Sequence, residues 1–183
     1  MDREGALQLL KQNVSERNLL KHMLAVEAIM KALAEVLDED VDLWGICGLL
    51  HDIDFEKTGQ NPKEHGLLAE RILNGKVDEN VIRAIKAHNY ENTHVVPYSK
   101  MEKCLISADS LSGLLIASAL VMPSKRLADL KLETVKKKFK DKAFARGSSR
   151  ERILLCESLG VQREKLFEIG LRALQSISDQ LEL

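Results

Sequence analysis

Leu43-Trp44-Gly45-Ile46-Cys47-Gly48-Leu49-Leu50-His51-Asp52 is eight uncharged residues followed without a break by an imidazole and a carboxylate. The run is far short of the ~20 apolar residues that cross a bilayer. It predicts a buried helix over 41–51, whose last turn delivers His51 and Asp52 to an interior surface. A carboxylate left unpaired there loses its hydration with nothing in return.

Other helical patterns carry the same conflict. His22 falls in the stripe Leu19, His22, Val26, Ile29, Leu33, and His88 continues Val81, Ala84, Ile85. Residues on such stripes share one helical face, here the one turned to the core. Asp109 lies between Leu105/Ile106 and Gly113/Ile116, and His65 follows the helix-start signal Asn61-Pro62-Lys63-Glu64. Any one of these histidines alone reads more simply as a hydrogen-bonded core residue. As a set they pose a problem that a divalent cation resolves at once. Imidazole and carboxylate donors suit Mn, Fe, Co, Ni or Zn. No cysteine falls among them, and Cys47 and Cys104 read as small core residues. His94, in the polar loop Asn92-Thr93-His94, reads as solvated.

The rest of the chain is helical by pattern. Helices are predicted over 3–13, 16–37, 41–51, 63–74, 79–88, 99–121, 132–139, 149–159 and 162–181, with no alternation long enough for a strand. Ser99-Lys100-Met101-Glu102 and Ser148-Ser149-Arg150-Glu151 read as capping boxes, and Gly75 and Gly160 as stops. With 183 residues, 45% of them apolar, the expected architecture is all-α and a single domain over 1–183. The charged, helix-like N-terminus carries no cleavage pattern. Three widely spaced cysteines argue for a reducing compartment, so a cytoplasmic location is expected. A net charge of −1 argues against nucleic acid as a partner, and no membrane contact is expected. The stretch 122–148 is the least ordered by pattern and the most basic, and reads as a lid or surface loop.

His22, then Gly48-Leu49-Leu50-His51-Asp52, then Ala108-Asp109 resembles the HD superfamily of metal-dependent phosphohydrolases over roughly residues 18–121. The resemblance implies a helical bundle with the metal between helices, extended here by C-terminal helices over about 122–183. It implies that His22, His51, Asp52 and Asp109 hold a first metal, with His51 and Asp52 at the catalytic centre. In two-metal branches further histidines bind a second ion that the Asp of the pair bridges; His65 and His88 match those places. Two positions depart from the family. Asp54 stands where many relatives have the Gly of His-Asp-Ile-Gly, a change expected to leave the ligands untouched and to alter the following loop. Asn89 stands where some two-metal relatives carry a second consecutive His.

The function so implied is hydrolysis of a nucleotide or other small phosphorylated metabolite by a metal-activated water, with one or two divalent ions. No Gly-x-Ser-x-Gly elbow or phosphate-binding glycine loop offers a competing chemistry. Asp54 and Glu56 are candidates for moving the proton, or simply solvated. The basic run 131–142, with Lys125, Arg126 and Arg146, reads first as a solvated face and second as a source of partners for phosphate. Two alternatives stand beside this: a non-catalytic module sensing a metal or nucleotide, and a helix-turn-helix over 150–181, although the acidic and apolar second helix there (Glu164, Phe167, Glu168) reads rather as a hairpin completing the core.

Overall fold

A computed structural model describes residues 1–183, and every regular element is helical. Helix α1 spans Arg3–Asn13, α2 Arg17–Leu37, α3 Val41–Leu50, α4 Phe55–Thr58, α5 Leu67–Leu73 and α6 Glu79–His88. They are followed by α7 Tyr90–Thr93, α8 Lys100–Leu120, α9 Leu132–Lys140, α10 Arg150–Ile153, α11 Arg163–Ser176 and α12 Ser178–Leu181. One cluster of 44 buried apolar residues runs from Ala6 to Leu181.

Local chemistry sets the helix ends. Asp2, Asp40 and Asp78 accept hydrogen bonds from the first-turn amides of α1, α3 and α6. Ser99 and Glu102 form the expected reciprocal cap of α8. Gly75 and Gly160 adopt positive φ just past the segments they close.

Helices α2 and α8 are the long central members. By length and composition α8 suffices to span a membrane, yet it is largely buried in the bundle, where α2, α6, α9, α10 and α11 pack around it. Helix α3 lies along α2, and Gly48 makes that approach possible. A Cβ at Gly48 would sit 2.9 Å from the Cα and amide nitrogen of Glu27. Helix α11 buries Leu166, Phe167, Ile169, Leu171 and Leu174, so it completes the core.

Three predicted helices are corrected. The segment expected over 63–74 begins at Leu67, because Pro62–His65 form turns and Gly66 takes φ 88°. The segment expected over 149–159 is α10 followed by a 3₁₀ stretch, Leu154–Leu159. Its cap is Ser149, not Ser148, and the fourth position is Arg152, so no glutamate returns the bond. The segment expected over 162–181 breaks at Ile177.

The basic stretch is ordered. Val135 and Phe139 bury one face of α9, and the following loop wraps the Arg150 guanidinium. That group donates to the carbonyls of Lys138, Phe139, Asp141, Phe144, Ala145 and Ser148.

Candidate metal centre

The bundle brings all six predicted ligand residues to one place. His22 comes from the first half of α2, His51 and Asp52 from the end of α3, His65 from the turn before α5, His88 from the end of α6, and Asp109 from mid-α8. His51 is fully buried and His88 and Asp52 nearly so, while His22, His65 and Asp109 are half-buried.

Asp52 is the pivot. Its Oδ2 faces His51 Nε2 at 3.4 Å and His22 Nε2 at 3.7 Å. Its Oδ1 faces His65 Nε2 and His88 Nε2, each at 3.3 Å. Asp109 Oδ1 adds a donor on the first side, 3.3 Å from His22 Nε2 and 4.0 Å from His51 Nε2. The donors therefore fall into two groups sharing one carboxylate: His22, His51 and Asp52, with Asp109 beside the two imidazoles, then His65, His88 and Asp52.

The imidazoles are oriented from behind. His51 Nδ1–H donates to Gly48 O at 2.9 Å, His65 Nδ1–H to Asp54 Oδ1 at 2.8 Å, and His88 Nδ1–H to Ile85 O. Ser112 Oγ donates to Asp109 O at 2.7 Å and so presents a lone pair to His22 Nδ1–H at 3.2 Å. With each Nδ1 holding its proton, each Nε2 faces the centre and offers it a lone pair once any second proton has left the ring. Those lone pairs point at one another: His22 and His51 Nε2 are 3.2 Å apart, and His65 and His88 Nε2 2.9 Å apart. Two acceptors that close repel unless a proton or a metal ion lies between or beside them. The donor set fits divalent ions of the nitrogen- and oxygen-loving kind.

The electrostatics agree. Burial raises the Asp52 carboxyl, but His51, His65 and His88 hold it well below the usual carboxylate range. Asp109 is likewise lowered against its burial, chiefly by His22 and His51. Burial works against a proton on His65, yet Asp52 and Asp54 together raise its pKa to about 10. His88, buried and facing His65, is pushed down. Asp52 and Asp109 are thus anionic and ready to meet a cation.

Asp54 is corrected from a solvated or proton-moving residue clear of the ligands to a structural anchor that touches His65. It is fully buried; Oδ1 takes the His65 bond, and Oδ2 accepts from Gly66 N at 2.8 Å and Ala69 N at 2.9 Å. It therefore caps α5 from across the loop while aiming His65. Glu56 points away, accepting from the Ser15 and Glu16 amides at the α1–α2 junction. Asn89 offers no donor atom to the centre. Its amide donates to the carbonyls of Pro62 and His65, fastening the His65 turn to the end of α6. His94 is exposed in its loop, as expected.

The centre forms the floor of an open cleft of about 350 Å³ whose lining adds Leu19, Phe55, Asn89 and Arg152. No sequence signal marks Phe55 or Arg152. Arg152 sits in α10, outside the segment that carries the ligand motif, and comes close only through the packing of α10 on α8.

The family model of the HD domain matches residues 19–114. This chain belongs to the HD domain family. HD domains of this superfamily are metal-dependent phosphohydrolase modules, and its helical bundle is the architecture described above. Among curated proteins, the chain is similar to Ribonuclease Y of Rhodopirellula baltica, 33% identical over 101 residues, covering 53% of the chain and 18% of that protein. It is also similar to Ribonuclease Y of Desulfotalea psychrophila, 27% identical over 172 residues, covering 90% of the chain and 32% of that protein. The HD chain therefore spans less than a third of the length of either relative. No solved structure gives a significant match.

Proposed function

We propose that this HD domain holds two divalent ions and hydrolyses a phosphoester or phosphoanhydride of a nucleotide or similar small metabolite by direct attack of water. The first ion is assigned to His22, His51, Asp52 and Asp109, the second to His65, His88 and Asp52. The supporting observation is the set of Nε2 lone pairs converging on both oxygens of Asp52, each with its Nδ1 proton tied off behind. Bound divalent ions supply Lewis acidity, acidifying water and offsetting charge on phosphoryl oxygens.

The chain's own residues do the positioning. Asp52 spans the two groups and keeps them adjacent, Asp54 and Asn89 hold His65 in line, and Ser112 fixes His22. The cleft leaves the centre open on one side, which gives a phosphoryl group access.

The test uses the full chain loaded with Mn, Fe, Co or Ni against phosphomonoesters, nucleotides and dinucleotides. At least one should turn over, and the His51→Ala/Asp52→Ala double variant should be inactive. A double variant that keeps the wild-type rate removes the site from consideration. Tight nucleotide binding without turnover under any metal identifies a sensing module instead.

A second reading draws on the name of the two relatives. An RNA phosphodiester presents the same phosphoryl centre, so short RNA oligomers belong in the same assay. Cleavage of oligomers but not of mononucleotides or dinucleotides would favour it.

A further inference from the structure

The cleft above the metal centre is lined by two side chains of unlike chemistry. Apart from the histidines, Arg152 is the one basic side chain in its lining and Phe55 the one aromatic ring. Neither is explained by the metal donors alone.

The guanidinium of Arg152 is held without being used up. Its Nη1 donates to both oxygens of Glu91 at 3.1 Å, and its Nη2 donates to His88 O. Nη2 also lies 3.8 Å from Asp109 Oδ2, while Oδ1 of the same carboxylate lies 3.3 Å from His22 Nε2. The Nε–H has no acceptor in the protein, and no unpartnered side-chain donor is buried, so it faces solvent. A planar donor fork fixed beside a metal carboxylate, with a free N–H, matches the oxygens of a phosphate. Its tethering also lowers the entropy lost when a ligand docks.

Phe55 is 45% exposed although it opens α4 directly after the buried Asp54. Its ring stands edge-on to His65, with centroids 5.6 Å apart and planes at 85°. It is braced by a metal-centre imidazole while open to the cleft. A rigid exposed ring beside a phosphate-sized charge suits a flat aromatic group joined to a phosphate, because bases stack on aromatic side chains.

We propose that Arg152 and Phe55 are the substrate-recognition residues of this cleft, Arg152 taking a phosphate oxygen and Phe55 stacking on the base of a nucleoside phosphate. The assignment rests on the cleft being the phosphohydrolase site and narrows its substrate class. A purely structural role for Arg152, pinning α10 to the end of α6, predicts different results.

The experiment is calorimetric titration of the manganese-loaded full chain with orthophosphate and, separately, with adenosine 5′-monophosphate, with metal content measured on each protein. The wild type should bind both, the nucleotide more tightly. Arg152→Ala should weaken both by about tenfold or more at unchanged metal content. Arg152→Lys keeps the charge but not the fork; it should load metal even if the alanine variant does not, and still bind several-fold more weakly. Phe55→Ala should weaken the nucleotide by roughly tenfold and leave orthophosphate alone. Phe55→Trp should restore nucleotide binding.

The proposal is overturned if the wild type binds neither probe, if both Arg152 variants bind orthophosphate as the wild type does, or if Phe55→Ala leaves the nucleotide unaffected. Binding changes as predicted, in a loaded wild type that hydrolyses nothing, would keep the recognition residues and discard the hydrolase.

Discussion

Asp52 carries the largest consequence of any side chain here, because its two oxygens serve two different sets of imidazoles. Elemental analysis of chain prepared without chelator or nickel resin should find about two equivalents of metal. Replacing His65 with Ala should leave about one, since only the second group is broken, whereas Asp52→Ala should leave close to none. Two equivalents retained by His65→Ala would remove His65 from the ligand set. A second outcome concerns protons. In the metal-free folded chain His65 keeps its proton up to about pH 10, well above the 6.5 of an ordinary histidine. That raised pKa contributes to apo-protein stability in full below pH 6.5, and the contribution is lost as pH climbs through about 10. An ion bound at His65 must expel this proton, so between those limits uptake of the second ion should release about one proton. Its apparent affinity should rise about tenfold per pH unit over that range. Titrations in buffers of different ionisation enthalpy measure the release directly; none at pH 8 would mean that His65 does not bind the ion.

Among the elements, the contact between α2 and α3 matters most for the centre, since it sets His22 against His51. Gly48 permits it twice over: it leaves room for the Glu27 backbone, and its carbonyl orients the His51 ring. Gly48→Ala should destabilise the fold by about 1–3 kcal/mol, as overpacking in a tight core does. It should also weaken the first ion more than the second, because α3 must move from α2 but not from α6. Urea unfolding and metal titration check the two effects; an unchanged midpoint would show that the helices part easily. The same elements explain what was readable from the amino acids. His22, His51, Asp52, His88 and Asp109 each interrupt an apolar helical stripe, and a polar group in that position is visible without coordinates. His65 was legible as a candidate, but not its setting. The Asn61-Pro62 signal marks a turn, and α5 is capped from Asp54, twelve residues before Gly66. Capping across a loop leaves no local pattern. Arg152 and Phe55 were not legible at all, because an arginine in a helix and an aromatic after a buried aspartate are ordinary until packing brings them to one cleft.

For the whole molecule, the centre joins elements distant in the chain. The first donor group ties α2, α3 and α8 together, and the second ties α3 to the turn before α5 and to the end of α6. Such a group is fully assembled only in the folded chain, so metal binding adds to folding stability by mass action. At a free-metal concentration one hundred times the dissociation constant, each ion contributes about 2.7 kcal/mol. For a chain of this length that corresponds to roughly 5–11 °C in Tm per ion. Chelation should therefore lower the wild-type Tm, and titrating manganese back should raise it in two steps if the affinities differ. His65→Ala should show only one step, of similar size to the tighter wild-type step. Because the variant retains His22, His51, Asp52 and Asp109, its remaining response isolates the first group from general effects of salt or charge. Calcium, a harder ion that favours six to eight oxygen donors, should shift neither protein much. An equal shift with calcium would mean that the cation acts on surface carboxylates rather than on the imidazoles inside the bundle.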